Sequence, residues 1–235
     1  SQNITVTVNA VNDTPIATSG LSGATSEDQA VVITLAGSDI DGDVLTFSLD
    51  TDATHGGVVI DGNLATYTPT LNYNGDDSFT FSVDDGEYTS NADVTLTVDA
   101  VNDAPVLATV SNVSFDEDGS GSTSLSGTDV DGDGLSYSIS GGSDISASLL
   151  GSDVTFTAPT NYNGSESFSV SVTDGEYTDS QSITVTVLSV NDAPVATAGL
   201  SGTTNEDHAV VVSLLGSDID GDVLTFSLGT DVTNG

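Results

Sequence analysis

The sequence has no lysine, no arginine, no cysteine, no methionine and no tryptophan. Against those absences stand 36 aspartates and glutamates among 235 residues, for a formal charge of −36. A chain without one basic side chain has no counterion-releasing patch for a phosphate backbone and no guanidinium fork for phosphate or carboxylate, so nucleic acid is excluded as a partner. Anionic membrane surfaces are excluded for the same reason. Missing lysine removes Schiff-base catalysis, and missing cysteine removes disulfides, thiolate nucleophiles and thiolate zinc sites. No apolar run approaches the roughly 18 residues that span a bilayer, so no direct membrane insertion is expected in this segment. With no methionine at its start, the sequence reads as a window onto a longer chain, with any targeting signal outside it. Oxygen chemistry is what remains.

High charge with 6% aromatic residues is also the composition of a disordered chain. Periodicity argues against disorder. Val-Asn-Asp occurs at Val11 to Asp13, Val101 to Asp103 and Val190 to Asp192, at offsets of 90 and 89. The same offsets relate Glu27-Asp28, Glu117-Asp118 and Glu206-Asp207, and the triplets Asp39/Asp41/Asp43, Asp129/Asp131/Asp133 and Asp218/Asp220/Asp222. Asn72-Tyr73-Asn74-Gly75 returns at Asn161 to Gly164, and Asp85-Gly86-Glu87-Tyr88 at Asp174 to Tyr177. The pattern predicts a last strand of a preceding repeat at 1–11, repeats at 12–101 and 102–190, and the first half of a further, truncated repeat at 191–235. Ser1 aligns with Asn91 and Gly235 with Gly56, so joining the two ends would still leave part of a repeat unsupplied.

Within each repeat the apolar period is two. Phe79, Phe81 and Val83 alternate with Thr80 and Ser82, and Val94, Leu96 and Val98 with Thr95 and Thr97; Ile183, Val185 and Val187, and Ile4, Val6 and Val8, follow the second pattern. Such alternation, punctuated by Gly, Asn and Asp every eight to twelve residues, predicts an all-β chain of half-buried antiparallel strands in two-sheet sandwiches.

Asp39-Ile40-Asp41-Gly42-Asp43 places three carboxylates on alternate residues, and the pattern recurs twice. It begins like an EF-hand loop, but where that motif wants glycine at position 6 and glutamate at position 12 the copies hold Val44 and Asp50, then Gly134 and Ser140, then Val223 and Gly229, so none completes it. A polar turn is the bland explanation, since Asp and Gly are ordinary turn residues. Two carboxylates held about 5 Å apart nevertheless repel by roughly 3 kcal/mol at an effective dielectric near 20, and each repeat assembles several. A hard dication bound by six to eight oxygens removes that repulsion, and flexible carboxylates with backbone carbonyls suit Ca2+ better than Mg2+.

The run Thr128 to Ile139, with Asp99-Ala100-Val101-Asn102-Asp103-Ala104-Pro105 before it and Thr173-Asp174-Gly175 after it, resembles the calcium-binding framework of cadherin repeats. The full period is similar to the bacterial cadherin-like, Ig-like tandem-95 repeats of giant calcium-binding surface adhesins. That resemblance implies a linear array of cadherin-like β-sandwich repeats with Ca2+ at inter-repeat junctions. It nominates Glu27, Asp99, Asn102, Asp103, Asp129, Asp131 and Asp174 for the junction at 101–105, and Glu117, Asn191, Asp192, Asp218 and Asp220 for the next. Asn12, Asp13, Asp39, Asp41 and Asp85 would serve a junction with a preceding repeat, and Glu206 occupies the glutamate position of the last one. The family's Asp-x-Glu element falls on Asn72-Tyr73-Asn74 and Asn161-Tyr162-Asn163, where both carboxylates are replaced by amides. Asp28, Asp118 and Asp207, and Asp43, Asp133 and Asp222, could supply substitute oxygens; Leu188-Ser189 replaces Asp99-Ala100 and removes one acidic ligand from the second linker.

The function so implied is a calcium-rigidified stalk or filament of an extracellular bacterial surface protein, structural and adhesive, and not an enzyme. Two alternatives stay open: a calcium-dependent module for host or matrix glycans or a partner protein, and a filament in which identical chains pair laterally. His55 and His208 lack partners for metal or acid–base work and read as surface residues. Asp-Gly-Glu-Tyr could pose as a glycosidase carboxylate pair, but its recurrence at a predicted hairpin favours scaffold. Tyr73 and Tyr162 read as packing at the sandwich edge.

Overall fold

The computed structural model describes residues 1–230, which divide between two compact units, one over 1–103 and one from 104 onward. Every regular element among them is a strand. The first unit contains β1 (Ile16–Ala17), β2 (Leu21–Ser26), β3 (Val31–Thr34), β4 (Gly37–Ser38), β5 (Thr46–Thr51), β6 (Gly56–Asp61), β7 (Leu64–Pro69), β8 (Gly75–Asp84) and β9 (Thr89–Asp99). A four-stranded sheet in the order β2-β9-β8-β5 faces a three-stranded sheet in the order β3-β7-β6, and β1 pairs with β4. The two long strands behave as their alternation predicts: Phe79, Phe81 and Val83 of β8 and Val94, Leu96 and Val98 of β9 are buried while the residues between them face outward. Ile33, Val58, Ala65 and Tyr67 cover them from the other sheet. Each large apolar side chain withdrawn this way contributes about 1.5–3 kcal/mol.

The second unit repeats the plan with β10 (Val106–Leu107), β11 (Val113–Asp116), β12 (Ser120–Ser124), β13 (Gly127–Thr128), β14 (Ser136–Gly141), β15 (Ser146–Leu150), β16 (Asp153–Thr157), β17 (Gly164–Thr173) and β18 (Thr178–Leu188). Its sheets run β11-β18-β17-β14 and β12-β16-β15, around Phe156, Phe168, Val170, Val172, Ile183, Val185 and Val187. Phe156 and Phe168 meet edge to face with centroids 5.2 Å apart. The sandwich therefore forms twice, as the period requires.

One pairing positions the chemistry. β2 runs parallel to β9, from Leu21↔Val94 to Ser26↔Asp99, and β11 runs parallel to β18, from Val113↔Val185 to Asp116↔Leu188. A parallel ladder delivers both strands to the same end of the sandwich, so Glu27 emerges beside Asp99 and Glu117 beside Leu188. The backbone bonds Glu27 N to Asp99 O and Glu117 N to Leu188 O, both 2.9 Å, extend the ladders to the two glutamates.

The flanking segments differ from the strands their sequence predicts. Residues 1–11 carry no regular structure, and Ile4, Val6 and Val8 are exposed. Among the described residues beyond 190, only β19 (Val195–Ala196) and β20 (Gly216–Ser217) pair with each other. A strand needs a neighbour for its ladder groups, and the segments aligned with β2, β3 and β5 find no counterpart of β7, β8 or β9 among the described residues. Residues 231–235, including Gly235, lie outside the described residues.

Candidate metal centre

Each acidic triplet folds the same way. In the first unit Asp39 Oδ1 accepts the backbone N–H groups of Asp41, Gly42 and Asp43 at 2.8, 3.0 and 3.3 Å. Asp129 Oδ1 does the same for Asp131, Gly132 and Asp133 at 2.9, 3.1 and 3.3 Å, and Asp218 Oδ1 accepts from Asp220 and Asp222 at 3.0 and 3.2 Å. Gly42, Gly132 and Gly221 sit near φ +81°, a left-handed conformation that glycine adopts without strain and that closes the turn. The turn leaves the second oxygen of the leading aspartate over. Asp39 Oδ2 and Asp129 Oδ2 are buried and accept no hydrogen bond. Oxygens of Asp39, Asp41 and Asp43 lie within 4.8 Å of one another, as do those of Asp129, Asp131 and Asp133.

The hairpin aspartates lie at the same end of their units as these triplets. Asp85 Oδ1 accepts from Glu87 N and Tyr88 N at 2.7 and 2.8 Å, while its Oδ2 accepts from Asn12 Nδ2 at 3.1 Å. Those donors hold the carboxyl below its ordinary range, the N–H groups of Tyr88 and Glu87 most strongly. Asp13 N donates to Asp41 Oδ2 at 2.8 Å, so hydrogen bonds tie Asn12 to Asp85, and Asp13 and Asp39 to Asp41, at this end of the unit. Asp174 repeats the turn, accepting from Glu176 N and Tyr177 N at 2.6 and 2.7 Å. The aspartate of each Asp-Gly-Glu-Tyr thus closes its hairpin.

At the opposite end, Glu27 and Glu117 are the two buried charged residues among those described, 4% and 7% exposed. Glu27 Oε1 accepts from Val101 N at 2.5 Å, and Glu117 Oε1 from Val190 N at 2.6 Å. Glu27 Oε2 is buried with no donor. Asp28 and Asp118 take left-handed backbones, φ 61°, and accept the N–H of Asn72 and Asn161 at 2.9 and 3.0 Å. Asp99 ends β9, exposed, and Asn102 Nδ2 donates to Asp103 O at 3.3 Å in the linker that follows.

A further cluster within the second unit joins residues far apart in the sequence. Oxygens of Glu117, Asp192 and Asp220 come within 4.8 Å of one another. Asp192 N donates to Asp220 Oδ2 at 2.6 Å, and Asn191 Nδ2 to Asp192 O at 3.0 Å. Burial raises the Asp192 carboxyl above its ordinary range, aided by the negative charges of Asp220, Glu117, Asp118 and Asp218. In a chain without lysine or arginine, these oxygens have the composition a hard divalent ion takes: carboxylates, amide oxygens and backbone carbonyls. The buried, donorless oxygens of Glu27, Asp39 and Asp129 fit such an ion as well. Glu206 does not join the arrangement. It is exposed and belongs to no carboxylate cluster among the described residues, because the strand that would bury it has no counterpart there.

Two acidic residues escape the sequence reading. Asp77 accepts from Thr54 N and His55 N at 3.1 and 2.9 Å and from the Tyr67 hydroxyl at 2.9 Å. Burial alone would raise its carboxyl, but those donors and Ser78 N bring it below the ordinary range. Its counterpart Glu166 gathers Ser143 N, Ser143 Oγ, Asp144 N and Ile145 N at 2.6–3.1 Å and is lowered to about 2, the Ser143 hydroxyl contributing most. The signal was present: both extend the inward stripe of Phe79, Phe81 and Val83, or Phe168, Val170 and Val172, by one period. His55 is exposed, its ring stacked on Tyr73 with centroids 4.2 Å apart, and Tyr73 and Tyr162 pack at the margins of the two cores.

A family model described as a bacterial Ig domain matches twice, over residues 12–97 and 102–186. Among solved structures, human protocadherin-24 EC1-2 is 17% identical, with a TM-score of 0.50 over 77% of this chain and 100% of that one. The PcdhgB3 EC1-4 structure is 11% identical, with a TM-score of 0.51 over 75% of this chain and 50% of that one. An endo-fucoidan hydrolase of glycoside hydrolase family 107 is 22% identical, but at a TM-score of 0.36 the likeness supports no argument; this chain spans 30% of its length. No curated protein matches the sequence.

Proposed function

This chain belongs to the bacterial Ig domain family, and we propose that it is an extracellular stalk or filament segment of a bacterial surface adhesin or fibre, stiffened by Ca2+ at the seams between repeats. The role is structural and adhesive, without catalysis. The observation that supports it best is the convergence of Glu117, Asp192 and Asp220 in a molecule with no lysine or arginine to neutralise them. Glu117, Asp118, Asn191, Asp192, Asp218 and Asp220 would hold the ion at that seam. Glu27, Asp28, Asp99, Asn102 and Asp103 at one end of the first unit are the matching ligands there, with Asn12, Asp13, Asp39, Asp41, Asp43 and Asp85 at the other. Asp129, Asp131, Asp133 and Asp174 play the latter part in the second unit, and Asp222 and Glu206 complete the roster only where a full repeat encloses them. The bound ion supplies positive charge and oxygen coordination.

These residues do the mechanical work through linkage. Backbone bonds from Val101 and Val190 fix each linker to a buried glutamate, and the Asx turns fix the triplets, so the oxygens are held before the ion arrives. An ion that binds the ordered seam and not the loose one stabilises the former by about 1.4 kcal/mol at tenfold excess over its dissociation constant. Extracellular modules work on the order of 10⁻⁴ to 10⁻³ M. Thermal melting and small-angle scattering of the chain, titrated with calcium and then chelator, test the proposal. A higher melting temperature and a longer maximum dimension, both reversed by chelator, are expected; two flat titrations refute it.

A further inference from the structure

The carboxamide of Asn161 holds a place that no simple ligand list explains. With Nδ2 turned toward the carboxylates it donates to Asp118 Oδ2 at 3.3 Å and to Asp192 Oδ2 at 3.2 Å; in the reverse orientation its oxygen would face only other acceptors. The backbone fixes it there, since Asn161 has φ 57° and its own N–H donates to Asp118 Oδ1 at 3.0 Å. Asp192 in turn donates its N–H to Asp220 Oδ2. A chain of bonds thus runs from Asp118 through one amide to Asp192 and on to Asp220, joining the sandwich to the segment that follows it. Asn12 plays a similar part in the first unit, quieting Asp85 with its amide. Where lysine and arginine are absent, a carboxamide is a neutral donor that can serve two carboxylates at once through its NH2 group.

We propose that Asn161 is a two-faced clasp: its NH2 group holds Asp118 and Asp192 together when no cation is present, and a half-turn about its last side-chain bond offers Oδ1 as a ligand when one is. The donor half stands by itself; the ligand half rests on the calcium reading above. Aspartate at this position could act only as a ligand, and glycine as neither, and both tolerate the left-handed backbone that Asn161 occupies. The clasp keeps this seam ordered at low cation concentration and makes its response to calcium gradual.

The test compares the full chain with Asn161→Asp and Asn161→Gly by amide hydrogen exchange at Val190 and Asp192, in chelator and along a calcium titration. In chelator both variants exchange about tenfold faster than the parent at Asp192, the effect of losing one charge-assisted bond. Calcium restores protection in Asn161→Asp, with a midpoint about tenfold lower than the parent's, but not in Asn161→Gly. In the unsubstituted chain the Asn161 side-chain NH2 resonances shift as calcium is added, a readout that needs no variant. Unchanged exchange in chelator refutes the donor half. An unmoved NH2 signal and an unmoved midpoint, in a parent that does respond to calcium, refute the ligand half. A parent without any calcium response overturns the stalk reading while the chelator comparison still decides the clasp.

Discussion

Glu27 offers the sharpest test because its two oxygens have different fates. Oε1 accepts the Val101 N–H, whereas Oε2 is buried without a donor in a residue only 4% exposed. A buried acceptor left unsatisfied costs about 1–3 kcal/mol, and more when charged. Glu27→Gln keeps the shape and the acceptor for Val101 while removing the charge. In chelator the substitution is expected to stabilise the first unit by about 1–2 kcal/mol, and at about 4–8 °C per kcal/mol for a domain of this size its melting temperature rises by about 4–16 °C. In calcium the parent gains about 1.4 kcal/mol at tenfold excess over the dissociation constant and the variant does not, so the difference closes. Differential scanning calorimetry of parent and variant in both conditions reads this directly. A variant destabilised equally with and without calcium would make Glu27 an ordinary anchor for the linker, and one stabilised equally in both would leave its second oxygen without an ion.

Glu166 predicts a pH effect in the second unit. Its folded value near 2 lies below the ordinary 4.5, so its contribution is complete above the ordinary value and disappears as pH falls through about 2. Amide exchange at Ser143, Asp144 and Ile145 should therefore accelerate in that window, and Glu166→Gln should abolish the dependence; a variant that reproduces the parent profile contradicts the assignment. Gly142 has φ 76°, and a Cβ there would stand 2.4 Å from Ile145 O and 2.5 Å from Phe168 Cζ. Gly142→Ala is accordingly expected to destabilise the second unit by about 2–4 kcal/mol, measured by urea titration, while the first unit's transition stays in place.

Much of this protein is legible in one dimension. The offsets of 90 and 89 locate the repeats, and the alternation at Phe79 to Val83 and Val94 to Val98 identifies the buried faces, because a strand's side chains alternate whatever sheet it joins. Asp39, Asp129 and Asp218 were legible too: an aspartate two residues before another and three before a glycine closes a local turn with its own neighbours. The role of Asp77 and Glu166 was harder to read. Apart from Ser78 N, their donors lie 10 to 23 residues away, and only the inward stripe hinted at them.

Sequence alone therefore determined the all-β repeat, the acidic inventory and the absence of any countercharge, since these depend on residue types and on spacings along the chain. Tertiary structure decided which carboxylates are buried and which meet. Glu27 and Glu206 stand at equivalent positions, yet one is enclosed beneath a linker and the other faces solvent, because only the first lies where a parallel partner strand delivers the chain back to it. Asn161 meets Asp192 across 31 residues for the same reason. Local periodicity fixes which way a side chain points; only the ladder between distant strands fixes what it points at.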